Sequence, residues 1–160
     1  VIVGLADSKE AVIATGGFSQ KTLLQFLENR EMKKISEGFY LHSHGDPMLV
    51  LKTMQKAGFD HDLVFVDATA AMDEMRNFHL ELITKTACQI VTANKNPISR
   101  YDYETYYCLT ENPTRYAYSA TAMAGLGAVP WISERITLQD QVSQITASLS
   151  GTLGFLTEKL

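Results

Sequence analysis

Cysteine is scarce in this chain, with only Cys88 and Cys108 in 160 residues. Neither sits in a CxxC or metal-finger spacing, so a disulfide framework and a zinc module are both excluded. The pair reads as reduced thiols, Cys88 in a buried strand and Cys108 on a helix, and implies a cytoplasmic or organelle-stroma location. No apolar run approaches the roughly 18 residues of a membrane span, and there is no charged-then-apolar leader, so no membrane partner is expected. Excess positive charge is also missing: 14 Lys and Arg against 18 Asp and Glu give a net charge of −4. That balance offers nucleic acid no general attraction, and nucleic acid is set aside as a partner. There is no internal repeat and no low-complexity tract. With 46% apolar and 20% charged residues, the composition is that of a globular chain, long enough for one domain with a core or for one domain and part of another.

What is present is an alternation of short apolar runs with helical patterns. Residues 1–8, Val-Ile-Val-Gly-Leu-Ala-Asp-Ser, begin in mid-strand and are apolar enough to be buried on both faces. Asp7 and Ser8 end that strand, where short polar side chains either hold a ribose hydroxyl or make a plain turn, and Lys9 shares the ambiguity. A polar link containing Gly16 and Gly17 leads to a helix over 19–30, capped by Ser19, with Leu23, Leu24 and Leu27 as its inner face. Residues 33–45 read as irregular. Within them His42-Ser43-His44 could bind a metal in principle but has no third ligand nearby. Asp46 and Pro47 open a helix with the stripe Leu49, Val50, Met54 and Ala57, stopped by Gly58.

A buried strand over 63–67 follows, ending in Ala68-Thr69-Ala70-Ala71, small residues that let another molecule approach the backbone. A helix is expected over 72–86, with Met75, Phe78, Leu82 and Ile83 inward. The next strand, 87–92, delivers Lys95 just beyond its end, ahead of a helix over 99–111 and a short strand at 115–119. Strands alternating with helices of about 10–15 residues predict βαβ units and a parallel sheet. Lys95 would then lie at the sheet's carboxyl edge, where such folds bind ligands, unless it is simply a solvated loop lysine. Gly125-Leu126-Gly127 lacks a third glycine and comes late, so it suits close packing or carbonyl ligation rather than a dinucleotide fingerprint. A helix through Val129, Trp131 and Ile132 follows. Residues 141–149 alternate polar and apolar as a half-exposed strand would, and a last helix runs to Leu160.

Read together, Val66-Asp67-Ala68-Thr69, Val91-Thr92-Ala93-Asn94-Lys95, Tyr118-Ser119-Ala120-Thr121 with Ala124-Gly125-Leu126, and Ser150-Gly151-Thr152-Leu153-Gly154 resemble homoserine dehydrogenase, in the family's order. The similarity spans essentially the whole chain and looks like the branch that includes the bifunctional aspartokinase-homoserine dehydrogenases. The resemblance implies an α/β fold: a Rossmann-type, mostly parallel sheet over residues 1–130 that binds NADP or NAD, then the start of a second, α+β substrate-binding and dimerisation domain at 138–160. It implies a homodimer or larger homo-oligomer that interconverts L-homoserine and L-aspartate 4-semialdehyde, on the route to threonine and methionine. Lys95 matches the family's lysine at the substrate oxygen, which suits a proton donor and acceptor. Thr69, Ala70, Thr92 and Ala93 match positions beside the nicotinamide. Gly151 and Thr152 match the entry to the homoserine pocket, and Asp7, Ser8 and Lys9 match the region that meets the adenosine ribose or its 2′-phosphate.

Departures accompany the matches. Ser119 stands where the family usually has a carboxylate that binds a monovalent cation with backbone carbonyls, here those of Ala122, Ala124 and Leu126. Met123 and Gly127 replace the usual Gly and Pro of that loop. The resemblance also puts the first strand and its Gly-rich phosphate turn ahead of Val1, and a second lysine and substrate-binding acids beyond Leu160. The alternative is a non-catalytic Rossmann-like binding or regulatory module built on the same scaffold.

Overall fold

The computed structural model describes residues 1–42, 46–59, 63–123 and 126–146. Among them the chain is mixed α/β, with an antiparallel and a parallel sheet of three strands each. Two compact units result, residues 1–63 with 85–87 and residues 64–84 with 88–160.

The first unit is organised by an aspartate turn. Asp7 Oδ1 accepts the N–H groups of Lys9 at 2.7 Å and Glu10 at 2.9 Å, and the Asp7 N–H reaches the Glu10 carbonyl at 2.9 Å. An aspartate that satisfies two backbone donors in this way fixes a tight reversal. β1 (Gly4–Ala6) therefore turns straight back into β2 (Glu10–Ile13), and β3 (Phe39–His42) pairs with the other side of β2, both antiparallel. The central strand is the driest, with Ala11, Val12 and Ile13 all buried. Val12 shares a core with Ala14, Phe18 and Met32, against which Leu5, Leu23, Phe26, Ile35 and Tyr40 pack.

This corrects the reading of the first forty residues. Val1 and Ile2 are exposed, and the strand that follows is an antiparallel edge, not a strand buried on both faces of a parallel sheet. The strand at 10–13 was read as part of a link, and β3 lies in a stretch read as irregular. Of the His42-Ser43-His44 pair, His42 ends β3 while Ser43 and His44 lie outside the described residues.

Both helices of this unit start where their caps predict. Ser19 Oγ accepts the Thr22 N–H at 3.2 Å to open α1 (Gln20–Asn29), and Asp46 Oδ1 accepts the Met48 N–H at 2.8 Å to open α2 (Pro47–Lys56). The inner face of α1 is rotated from the expected leucine stripe: Leu23 turns inward as expected, but it does so with Thr22 and Phe26, which lie four residues apart, and Leu24 and Leu27 are exposed. α2 buries Leu51 and Met54. It ends in a Schellman turn, with Phe59 N–H on Met54 O at 3.1 Å and Gly58 N–H on Gln55 O at 2.9 Å.

The second unit is built on the parallel sheet β4 (Val64–Asp67), β5 (Gln89–Thr92) and β6 (Tyr116–Ala117), in that order, with Phe65, Ile90 and Tyr116 in register. Crossover helices join the strands, α3 (Asp73–Lys85) after β4, then α4 (Asn96–Ser99) and α5 (Tyr103–Thr110) after β5. One face of the sheet packs on α3: the Phe65 and Phe78 rings meet edge to face at 5.3 Å, and the His79 and Tyr116 rings at 5.5 Å. Arg115 fastens the far end of α3 to β5, donating to Ile83 O at 2.9 Å, Leu82 O at 3.2 Å and Cys88 O at 2.8 Å.

The strands over 63–67 and 87–92 were expected to be buried, yet Val64, Val66 and Val91 are exposed, Val66 at 74%. The helix expected over 99–111 is α5, which starts only at Tyr103, and the short α4 precedes it over 96–99. Pro97 stands near the start of α4, and Asp102 takes an extended backbone and caps Thr105 N–H at 2.7 Å, breaking the run between them. After α6 (Ala128–Thr137) no strand forms over 141–146, and residues 147–160, most of the expected second domain, lie outside the described residues.

Gly38, just before β3, tests the first unit. Its φ is 89°, and a Cβ there would lie 2.3 Å from the Ile13 carbonyl oxygen. Gly38→Ala is expected to destabilise the protein by more than about 1 kcal/mol, read as a lower urea midpoint; an unchanged midpoint would show that the β2–β3 pairing does not need glycine there.

Candidate active site

Parallel pairing sends the loops after β4 and β5 out at the same edge of the sheet. The two strands end side by side, Asp67 opposite Thr92. Asp67 is 4% exposed, and its Oδ1 accepts the Thr69 N–H at 2.8 Å, while its backbone carbonyl accepts the Ala93 N–H at 2.9 Å. Thr92, also buried, holds its Oγ1 3.4 Å from Asp67 O and 3.5 Å from Asp67 Oδ2 and accepts the Asn94 N–H at 3.0 Å. The strand ends are thus joined by side chains as well as by the ladder.

Two asparagines complete the lacing. Asn94, 2% exposed, donates from Nδ2 to Ala71 O at 2.9 Å and Thr69 Oγ1 at 3.3 Å, and its Oδ1 accepts the Asn96 N–H at 3.1 Å. Asn96 Nδ2 donates to Ala70 O at 2.9 Å. Between them sits Lys95, exposed, in the cap position of α4, with its carbonyl accepting the Ser99 N–H at 3.0 Å. A flexible lysine stem is therefore mounted on a backbone held from both sides. Around it Ala68, Ala70, Ala71 and Ala93 are exposed and bear nothing beyond Cβ, so a flat ring can approach this backbone closely.

Beneath the edge lies a buried file of polar groups that sequence reasoning missed. His79 is 0% exposed. Its Nε2 lies 3.2 Å from Asp67 Oδ2, off the line of a well-formed hydrogen bond, and its Nδ1 lies 2.8 Å from Tyr116 Oη. Burial by itself would push the Asp67 carboxyl up, but the contacts from His79, Thr69 and Asn94 outweigh it and hold it down at about 2. Burial, and then the Asp67 charge, push the Tyr116 hydroxyl well above its ordinary range, so it stays O–H. The His79 ring thus stands between a hydroxyl at Nδ1 and a carboxylate at Nε2.

The expected site residues divide accordingly. Thr69, Ala70, Thr92, Ala93 and Lys95 come together at this edge, with Thr92 buried and its hydroxyl used inside the fold. Asp7, Ser8 and Lys9 belong to the first unit, at the hairpin tip, with the Asp7 carboxylate engaged by the turn. Ser119 opens a short 3-10 turn, Ala122 follows it, and Leu126 is exposed. Ala124, Gly151 and Thr152 lie outside the described residues. No group of three or more His, Cys, Asp or Glu able to hold a metal ion occurs among the described residues, and no described helix is long and apolar enough to cross a membrane. Elsewhere in the second unit a groove of about 910 Å³ runs past Leu126, Trp131, Ile132, Arg135, Val142 and Ile145. It contains none of the edge residues.

Asp67 lies inside the block Val66-Asp67-Ala68-Thr69 and Asn94 inside the block around Lys95, so both were in view as neighbours of residues assigned a role. His79 left one signal, a polar residue beside Phe78 and three before Leu82 on a face otherwise apolar. No protein-family model, curated protein or solved structure matches the chain.

The lowered Asp67 pKa makes a pH prediction. A carboxyl at 3.8 when unfolded and at about 2 when folded adds stability that is full above the higher value and is lost as pH falls through the lower. Asp67→Asn is expected to cost about 1–3 kcal/mol at pH 7, and the gap to wild type should narrow as pH falls from about 4 toward 2. Urea unfolding across that range checks it; a gap independent of pH would mean that the Asp67 charge is not what stabilises the edge.

Proposed function

We propose that the chain is part of a homoserine dehydrogenase, an oxidoreductase that interconverts L-homoserine and L-aspartate 4-semialdehyde with NADP or NAD. The observation that carries the reading is Lys95: the one lysine of the strongest sequence block stands exposed at the carboxyl edge of a parallel sheet, between two asparagines whose side chains tie its loop to that of Thr69. Open α/β sheets bind ligands at this edge. The finer architecture goes with the proposal: β4, β5 and β6 belong to a Rossmann-type sheet, residues 1–130 to the cofactor domain, and residues from 138 to a substrate-binding and dimerising domain. A homo-oligomer in the cytoplasm or an organelle stroma follows from the same family.

When bound, the reduced nicotinamide supplies a hydride to the aldehyde carbon of the semialdehyde. The protein's own residues do the rest. Lys95 Nζ, as an ammonium, donates a hydrogen bond to the aldehyde oxygen and gives up a proton as the C–O⁻ forms, so the alcohol leaves neutral; in reverse the amine takes the hydroxyl proton. Ala70, Ala93 and Thr69 line the approach of the nicotinamide face, and Thr92 acts from below by holding Asn94 and the end of β5 in place. The monovalent cation of the family would need the Ser119 region to supply carbonyls alone.

In the full-length protein, aspartate semialdehyde should consume NADPH or NADH, followed by loss of absorbance at the reduced-nicotinamide band. Lys95→Ala is expected to lower turnover by about a hundredfold or more and to leave cofactor affinity nearly unchanged. Cofactor binding without turnover in the wild type would favour the non-catalytic module, and full turnover in Lys95→Ala would remove the lysine from the chemistry.

A further inference from the structure

The file Tyr116, His79, Asp67 is costly to place in a core that also holds Phe78, Leu82 and Ile90. Burying three polar side chains is offset only where each finds a partner, and apolar residues of the same volume pack there at least as well. Asp67 ends β4, so its carboxylate lies directly under the loop that begins with Ala68. Its two oxygens face opposite ways: Oδ2 toward His79 Nε2 at 3.2 Å, and Oδ1 toward the Thr69 N–H at 2.8 Å. From Thr69 the connection continues through Oγ1 to Asn94 Nδ2 at 3.3 Å, and Asn94 is the residue before Lys95.

We infer that His79 is a positioning residue for the chemistry at Lys95, holding the Asp67 carboxylate from beneath so that Thr69 and Asn94 keep the two edge loops in a single arrangement. The inference rests on the oxidoreductase reading for its kinetic consequence, not for its structural one. Without His79 the Asp67 side chain loses the group that fixes its rotation, and the Thr69 N–H loses an aligned acceptor. The effect reaches Lys95 as misplacement rather than lost contact, which lowers kcat with little change in cofactor KM. A histidine that merely fills the core would change stability and leave that ratio alone.

The test uses the full-length protein with His79→Leu, which removes both ring nitrogens, and His79→Gln, whose amide N–H can reach Asp67 but cannot accept from Tyr116 in the same way. His79→Leu is expected to lower kcat for aspartate semialdehyde about ten- to a hundredfold with cofactor KM within about threefold of wild type, and to speed hydrogen exchange at the Thr69 amide at least about tenfold. The Ala14 amide, bonded to Val3 O in the other unit, should exchange as before. His79→Gln should recover most of both losses. If His79→Leu does not fold, His79→Met, which has no N–H to offer Asp67, is compared with Tyr116→Phe, which keeps the His79 ring against that carboxylate, and the losses are expected in His79→Met alone. Wild-type kcat and unchanged Thr69 exchange in the folded variants would overturn the inference. A wild-type protein with no turnover would instead overturn the oxidoreductase reading, and Thr69 exchange would still decide the role of His79.

Discussion

The Asp67 carboxylate lies buried at the end of β4 with donors from three elements turned toward it: the His79 ring on α3, the Thr69 N–H in the loop above, and the Thr92 hydroxyl on the neighbouring strand. A charge taken out of water this completely is stable only when its hydrogen-bonding capacity is filled. Filling it fixes the geometry of what does the filling. α3 is thereby keyed to the sheet at one residue, and the first loop residues after β4 and β5 are tied to each other. The same carboxylate is both a constraint on the fold and the floor of the candidate site.

The division of labour within the second unit follows. Apolar contacts among Phe65, Phe78, Leu82 and Ile90 supply the bulk attraction of helix for sheet, which is non-directional and would tolerate some sliding of one element over the other. Arg115 at one end of α3 supplies direction, because its hydrogen bonds to named carbonyls are satisfied in one alignment only, and further along the His79 ring stands against the Asp67 carboxylate at 3.2 Å. The edge loops inherit that alignment. A lysine that must meet a substrate oxygen within hydrogen-bond reach needs such a mount, since its own four-carbon stem provides none.

Local chemistry made much of this legible. Ser19 and Asp46 announced their helices because a cap is written in one side chain and the next three backbone groups, and the apolar runs at 63–67 and 87–92 announced strands because their length and branching suit little else. Lys95 was placed at a strand end for the same reason. What could not be read was pairing at a distance. The Asp7 turn was seen as a possible ribose site, whereas the reversal it makes, and β2 with it, depends on β3 arriving from some thirty residues further on. On α1 the expected Leu23 does face inward, but Thr22 and Phe26 join it in place of Leu24 and Leu27, since only the core decides between neighbouring apolar stripes. His79 meets Tyr116 across 37 residues, a separation no periodicity records. The exposed face of β4 and β5 was hidden too, since an apolar run looks the same with one face covered or two.

Asp67 and Asn94, which meet through Thr69, act as one unit in holding the edge. A double-mutant cycle of Asp67→Asn and Asn94→Ala, read by urea unfolding of the full-length protein at pH 7, addresses it most directly. A coupling energy of about 0.5–3 kcal/mol between the two is expected, because removing either side chain already loosens the loop that the other holds. Additive losses, with a coupling indistinguishable from zero, would contradict it and leave Lys95 on a loop fastened at two independent points.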